Sequence, residues 1–307
     1  MLKLPKIPEF LKVASITKKI TLALIGLFLI LFLLTHLGIN LCMLRDDGGA
    51  WFRAAAHFMG TNYIVKVFEI VLLGAILLHI ALALLIQFEN WRARPVGYKV
   101  CNKSKTAFGS KLMIWSGILI ACFLAVHFVH FYFAKVGLAE GRYIIKVEAI
   151  ENAFKAKQQT LSDAYVAAET DEERAIIEQG FTAFQQSLTV FQTNEKFSNA
   201  LQGGRKLIYD LSKAEVDEAT AVLDIFYEPD FYVMSKILFK KEWVVLLYLF
   251  FMLALGFHLM HAFQSAFRTL GAVHSKYTCI IQIAGTAFAI VVSVGFSIIP
   301  VFFYFFK

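Results

Sequence analysis

Cysteine is scarce and scattered. The four in 307 residues, Cys42, Cys101, Cys122 and Cys279, form neither a C-x-x-C-H haem-attachment motif nor the paired spacing of a metal site. A thioether-linked haem is thereby excluded, and any haem here is held through side-chain ligands alone. Charge is scarce too: 17% of residues are Asp, Glu, Lys or Arg, against 58% hydrophobic and 15% aromatic, with mean hydropathy +0.63. An ordinary soluble domain is nearer half apolar, so the composition points to a membrane. Nothing in the charge pattern suggests nucleic acid.

A hydrocarbon core about 30 Å thick is crossed by roughly 20 residues of apolar helix. Five segments reach that length, about 20–44, 64–88, 112–134, 243–263 and 277–306. The first run, Ile20 to Leu41, is too long for the h-region of a secretion signal and has no small-residue cleavage site. It is read as the first of five spans. Trp51 and Trp243 fall at one set of span ends and Trp91 and Trp115 at the other, where amphipathic rings favour the headgroup boundary.

Basic residues orient the spans, because Lys and Arg flanks resist translocation. Lys3, Lys6, Lys12, Lys18 and Lys19 precede the first span, and Arg92, Arg94, Lys99, Lys103, Lys105 and Lys111 lie between the second and third. The connection between the first and second has only Arg45 and Arg53. The expected topology has the N-terminus cytoplasmic and the C-terminus exoplasmic. The formal charge of +7 conceals an asymmetry: from Lys135 to Lys241 there are 13 Lys and Arg but 17 Asp and Glu. The rest of the chain is strongly basic, which suits anionic headgroups or an acidic partner on the cytoplasmic face.

The stretch 138–240 between the third and fourth spans is charged and Gln-rich, and reads as a small exoplasmic insertion of three or four helices. Phe181, Phe184, Leu188 and Phe191 recur at spacings of three and four, which places them on one helix face. Thr170 with Glu173 and Ser212 with Glu215 have the spacing of capping boxes, Gly203-Gly204 marks a break, and Pro229 a helix stop. The predicted fold is thus an all-α integral membrane protein: a five-helix haem-binding bundle (1–137 and 241–307) interrupted by a helical insertion (138–240).

Histidines inside spans are costly and are functional candidates by default. The first four spans carry His36, His79, His127 with His130, and His258 with His261; the fifth has none. At about 1.5 Å per residue, His36 and His127 each lie roughly 24 Å from the cytoplasmic ends of their helices. His79 and His258 each lie about 15 residues from the exoplasmic ends, in the inner half of the bilayer. Two pairs at two depths, with one partner per helix, is the arrangement two stacked bis-histidine haems require. The reading assigns an outer haem to His36 and His127 and an inner haem to His79 and His258. A lone buried histidine more often bonds a neighbouring hydroxyl or carbonyl than a metal; four that match pairwise in depth favour ligation. His130 and His261 lie one turn nearer the interface, as secondary candidates for propionate contact or solvation. Gly38, Gly74, Gly117, Gly256 and Gly271 would admit a helix or a flat macrocycle, although glycine is common in such helices.

At these residues the sequence resembles the five-helix, dihaem cytochrome b family that anchors succinate dehydrogenases and fumarate reductases. The resembling pieces are Thr35-His36-Leu37 with Asn40, His79 followed by Glu89-Asn90-Trp91-Arg92-Ala93-Arg94-Pro95 and Tyr98, Gly117 ten residues before His127, and Gly256 to Phe267 leading to Leu270-Gly271. The likeness covers about 1–135 and 230–307 and leaves the insertion unexplained. It implies two haems b ligated by His36, His79, His127 and His258, and a bacterial cytoplasmic membrane. It also implies an iron–sulfur subunit and a flavoprotein docked on the cytoplasmic face, and electron exchange with a quinone, expected to be menaquinone. No dicarboxylate chemistry is expected on this chain. Some relatives carry a carboxylate two residues before the fourth-span histidine for proton movement; Gly256 stands there instead.

His57, with Arg53, Asp46 and Asp47 in the same outer loop, is the quinone-site candidate, since imidazole titrates near neutrality; a solvated loop histidine is the plainer alternative. Arg92, Arg94 and Lys99 either dock the iron–sulfur partner or simply obey the positive-inside rule. Three rivals stand beside this reading: the haem-b anchor of a hydrogenase or formate dehydrogenase, a receptor with 138–240 as its exoplasmic ligand-binding domain, and a metal-free transporter. The Asn90 to Pro95 run argues against the first, and the lack of a signalling module after the fifth span against the second.

Overall fold

The five apolar runs are helices long and apolar enough to cross a membrane: Ser15–Leu44, Tyr63–Ala93, Leu112–Lys135, Glu242–Thr269 and Lys276–Phe306. A helix satisfies its backbone N–H and C=O groups internally, which is what a water-free hydrocarbon layer demands. The computed structural model describes residues 15–93, 108–220, 223, 225–272 and 274–307, without the side chains of 108–111, 187, 188, 190, 192 and 275. Lys3, Lys6, Lys12, Arg94, Pro95, Tyr98, Lys99, Cys101, Lys103 and Lys105 lie outside the described residues, as do the side chains of Lys111 and Leu188.

In chain order the helices and strands are α1 (Ser15–Leu41), α2 (Ala50–Thr61), α3 (Tyr63–Ala93), α4 (Phe108–His127), α5 (Phe133–Lys135), β1 (Tyr143–Lys146), α6 (Val147–Ala167), α7 (Asp171–Thr193), α8 (Glu195–Gln202), β2 (Leu207–Leu211), α9 (Lys213–Thr220), β3 (Tyr227–Pro229), α10 (Phe231–Leu238), α11 (Glu242–Thr269) and α12 (Ser275–Phe306). A π turn, Phe128–Tyr132, joins α4 to α5. Residues 127–235 form one compact unit, and the described residues on either side of them form the other.

In the flanking unit, α11 and α12 make the most extensive helix pairing, with α1 against both. Leu37, Phe251, Met252, Leu255, Leu259, Ala289 and Val292 form the buried core there. Small residues permit the close approach: a Cβ on Gly256 would come within 3.1 Å of Ser293 Oγ, and one on Gly285 within 2.9 Å of the Phe263 ring. Ser293 Oγ donates to the Met252 carbonyl at 2.5 Å, tying α12 to α11. α3 differs, since it buries no residue and leaves Ile64, Phe68, Ile70 and Leu77 exposed. Water would penalise that apolar surface and lipid does not.

Gly271 serves as a helix stop rather than as a point of close approach. Its φ of 88° is left-handed, Gly271 N–H donates to the Arg268 carbonyl and Ala272 N–H to that of Phe267, a complete Schellman motif ending α11. Gly38 and Gly74 face open space.

The 127–235 unit departs from an all-helical insertion. It contains a three-stranded antiparallel sheet in the order β2-β1-β3, with Tyr143 paired to Leu211 on one side and to Pro229 on the other. Pro229 therefore ends an edge strand, where its missing N–H costs no ladder bond, and does not stop a helix. α6 and α7 pair beside the sheet, and Phe184, Phe191 and Phe197 are buried with Ile145, Ile208, Leu211 and Val216. The Phe191 and Phe197 rings meet edge to face at 4.8 Å, the arrangement aromatic quadrupoles favour. Both capping boxes form: Thr170 Oγ1 accepts from Glu173 N–H at 3.2 Å while Glu173 Oε2 accepts from Thr170 N–H at 3.1 Å. Ser212 and Glu215 do the same at 3.3 and 2.7 Å. Gly203 caps α8 and Gly204, at φ 61°, turns the chain toward β2.

Candidate metal centre

His258, on α11, lies within electrostatic range of His79 on α3 and of His261 one turn further along its own helix. Two backbone gaps flank the first pair. A Cβ on Gly26 of α1 would sit 3.9 Å from His79 Cε1, and one on Gly117 of α4 would sit 3.6 Å from His258 Cε1. A larger side chain at either position would occupy the space beside an imidazole edge. His79 Nδ1 is buried and has no hydrogen-bond partner, whereas His258 Nδ1 lies 3.2 Å from Ser116 Oγ. Ser116, itself buried, donates to the Met113 carbonyl at 3.1 Å.

His36, near the end of α1, sits in an aromatic setting: Phe32 stacks on it at 5.2 Å and Phe296 of α12 tilts against it at 5.5 Å. Asn40 places its amide nitrogen 3.3 Å from His36 Nδ1 and donates to the His36 carbonyl at 2.7 Å. His127 closes α4, with Phe131 at 5.1 Å, and His130 lies within the π turn that follows. Such turns widen a helix by one residue and recur at functional sites. His36 and His127 belong to different compact units, and their pairing is a reading of the sequence alone.

The outer-loop residues are largely engaged in building their loop. Asp47 caps α2 by accepting from Gly49 and Trp51 N–H at 2.9 and 3.1 Å, and Asp46 pairs with Lys307 at 2.6 Å. That ammonium holds the Asp46 carboxyl below the usual carboxylate range. Arg53 donates to the Gly48 carbonyl at 2.8 Å, and Arg45 lies over the Trp51 ring at 4.2 Å. His57 is half-buried in α2, and its carbonyl accepts from Thr61.

Four contributors escape sequence reasoning. Ser116 and Gly26 carry no signal of their own in apolar helices. Lys18, 6% exposed, pairs with Glu89 and ties the start of α1 to the end of α3; a charge of each sign at opposite span ends was the available hint. The eighth histidine, His274, caps α12 by accepting from Lys276 N–H at 3.2 Å. Among the described residues no cluster of three or more His, Cys, Asp or Glu could hold a bare metal ion. Two imidazoles can offer one nitrogen each to a metal whose other ligands come from elsewhere.

By fold this is a predominantly helical, multi-pass membrane protein. Compared with known protein families, curated proteins and solved structures, the chain matches none.

Proposed function

We propose that the chain is the membrane anchor of a quinone-linked redox complex, a dihaem cytochrome b of the kind that serves succinate dehydrogenases and fumarate reductases. The observation that carries the reading is the His79 and His258 pair: imidazoles from two different spans, in electrostatic range, each with a glycine beside its ring. The chemistry of the pair fits haem b. A haem brings most of its iron's ligands itself, so His79 and His258 would supply the nitrogens it still needs. A buried imidazole nitrogen without a partner, as at His79 Nδ1, is costly unless something else engages the ring. When bound, such a group supplies a one-electron iron couple inside the hydrocarbon layer.

The chain's own part is to hold the rings, exclude water and set their proton positions. Phe32 and Phe296 shield His36, and Ser116 orients His258. The sequence reading gives His36 and His127 to the second haem, with His130 and His261 as secondary candidates. A quinone would exchange electrons near the outer loop that contains His57. An iron–sulfur subunit and a flavoprotein would dock on the basic cytoplasmic face.

The test is a pyridine haemochrome assay on the purified chain or its complex, with mass spectrometry of what co-purifies. About two haems b per polypeptide and a flavoprotein with succinate:quinone activity are expected. Haem without a succinate-active partner would point to a hydrogenase or formate dehydrogenase anchor, and no haem would sink the redox reading.

A further inference from the structure

Ser116 is a buried hydroxyl in an apolar helix, 6% exposed, and its two contacts define the direction of a proton. A serine hydroxyl has one hydrogen to give and two lone pairs to receive with. The hydrogen goes to the Met113 carbonyl at 3.1 Å. Toward His258 Nδ1, at 3.2 Å, Ser116 Oγ is left to present a lone pair. That lone pair calls for a proton on His258 Nδ1, which leaves the ring's own lone pair on Nε2.

We propose that Ser116, its hydrogen held by the Met113 carbonyl, is a positioning residue that fixes His258 as the Nδ1–H tautomer and presents its Nε2 to the iron of the haem shared with His79. The proposal rests on reading His79 and His258 as an axial pair, and it explains why His258 rather than His261 is the ligand on α11. An acceptor on Nδ1–H makes an imidazole a stronger donor, which favours the ferric state. His79 Nδ1 has no such partner, so the two axial rings of one haem are held unequally. The Gly117 gap beside His258 Cε1 keeps that ring's edge free of a neighbouring side chain.

The experiment compares Ser116→Ala with Ser116→Thr in the intact protein, reading haem content and both midpoint potentials by redox titration of the b-type absorption band. In Ser116→Ala one potential is expected to move upward while the other stays, and Ser116→Thr, which keeps the hydroxyl, is expected to match the parent. If Ser116→Ala instead loses one haem, retention of that haem by Ser116→Thr supports the role. Two haems with unchanged potentials in Ser116→Ala would overturn the role of Ser116 and leave the histidine pair standing. Equal effects of Ala and Thr would reduce Ser116 to packing. A parent protein free of haem would overturn the axial pair and this inference together.

Discussion

Around the span histidines, neighbours differ more than depths do. His258 has a hydroxyl at 3.2 Å and a glycine beside its ring, while His261, one turn on, lies beyond both contacts. Replacing His258 by Ala is therefore expected to lower haem per polypeptide from about two to about one, whereas His261→Ala leaves about two. Pyridine haemochrome counts on the two variants decide it, and the reverse pattern would move the ligand to His261. The histidines were legible in sequence because an ionisable side chain inside an apolar run has few cheap explanations. Ser116 was not, because serine is ordinary in membrane helices and its partner lies 142 positions away. Gly26 gives no sign in the sequence for the same reason, while Gly38 and Gly74, which only their residue type suggests, border open space.

Elements show where local chemistry can and cannot be read. Both capping boxes are visible in sequence because donor and acceptor sit within three residues of each other. The strands are not, because they are only 4, 5 and 3 residues long and their partners lie far along the chain. At the start of α9, burial pushes the Glu215 carboxyl upward, but the Ser212 N–H, Lys196, the Ser212 hydroxyl and Asn194 outweigh it and hold the pKa at about 2. A depressed folded pKa stabilises above the unfolded value, near 4.5, and that contribution is lost as pH falls toward 2. Hydrogen exchange across residues 207–220, corrected for intrinsic rates, should rise through that window in the parent and show a weaker pH dependence in Glu215→Gln. Between α11 and α12, an added methyl at Gly285 meets the ring and Cβ of Phe263. Gly285→Ala is expected to cost ~1–3 kcal/mol by overpacking. Gly74→Ala, in open space, serves as the neutral comparison in thermal unfolding in detergent.

At the scale of the whole molecule, the described residues include one hydrophobic core around Leu255 and Val292 and another around Phe191 and Ile145. Phe191→Ala removes a ring that is 2% exposed and is expected to cost ~3–5 kcal/mol. Faster exchange confined to residues 143–219 with haem content unchanged is the expected result; loss of haem would tie the cores together. The order of these parts along the chain also sets a schedule. Roughly 180 residues separate His79 from His258, and at ~5–20 residues per second a ribosome spends about ten to forty seconds between them. The first three spans and the whole 127–235 unit are made before α11 exists. His79 therefore enters its span while α11, with His258, is still unmade, and the whole 127–235 unit is synthesised and can fold in the interval.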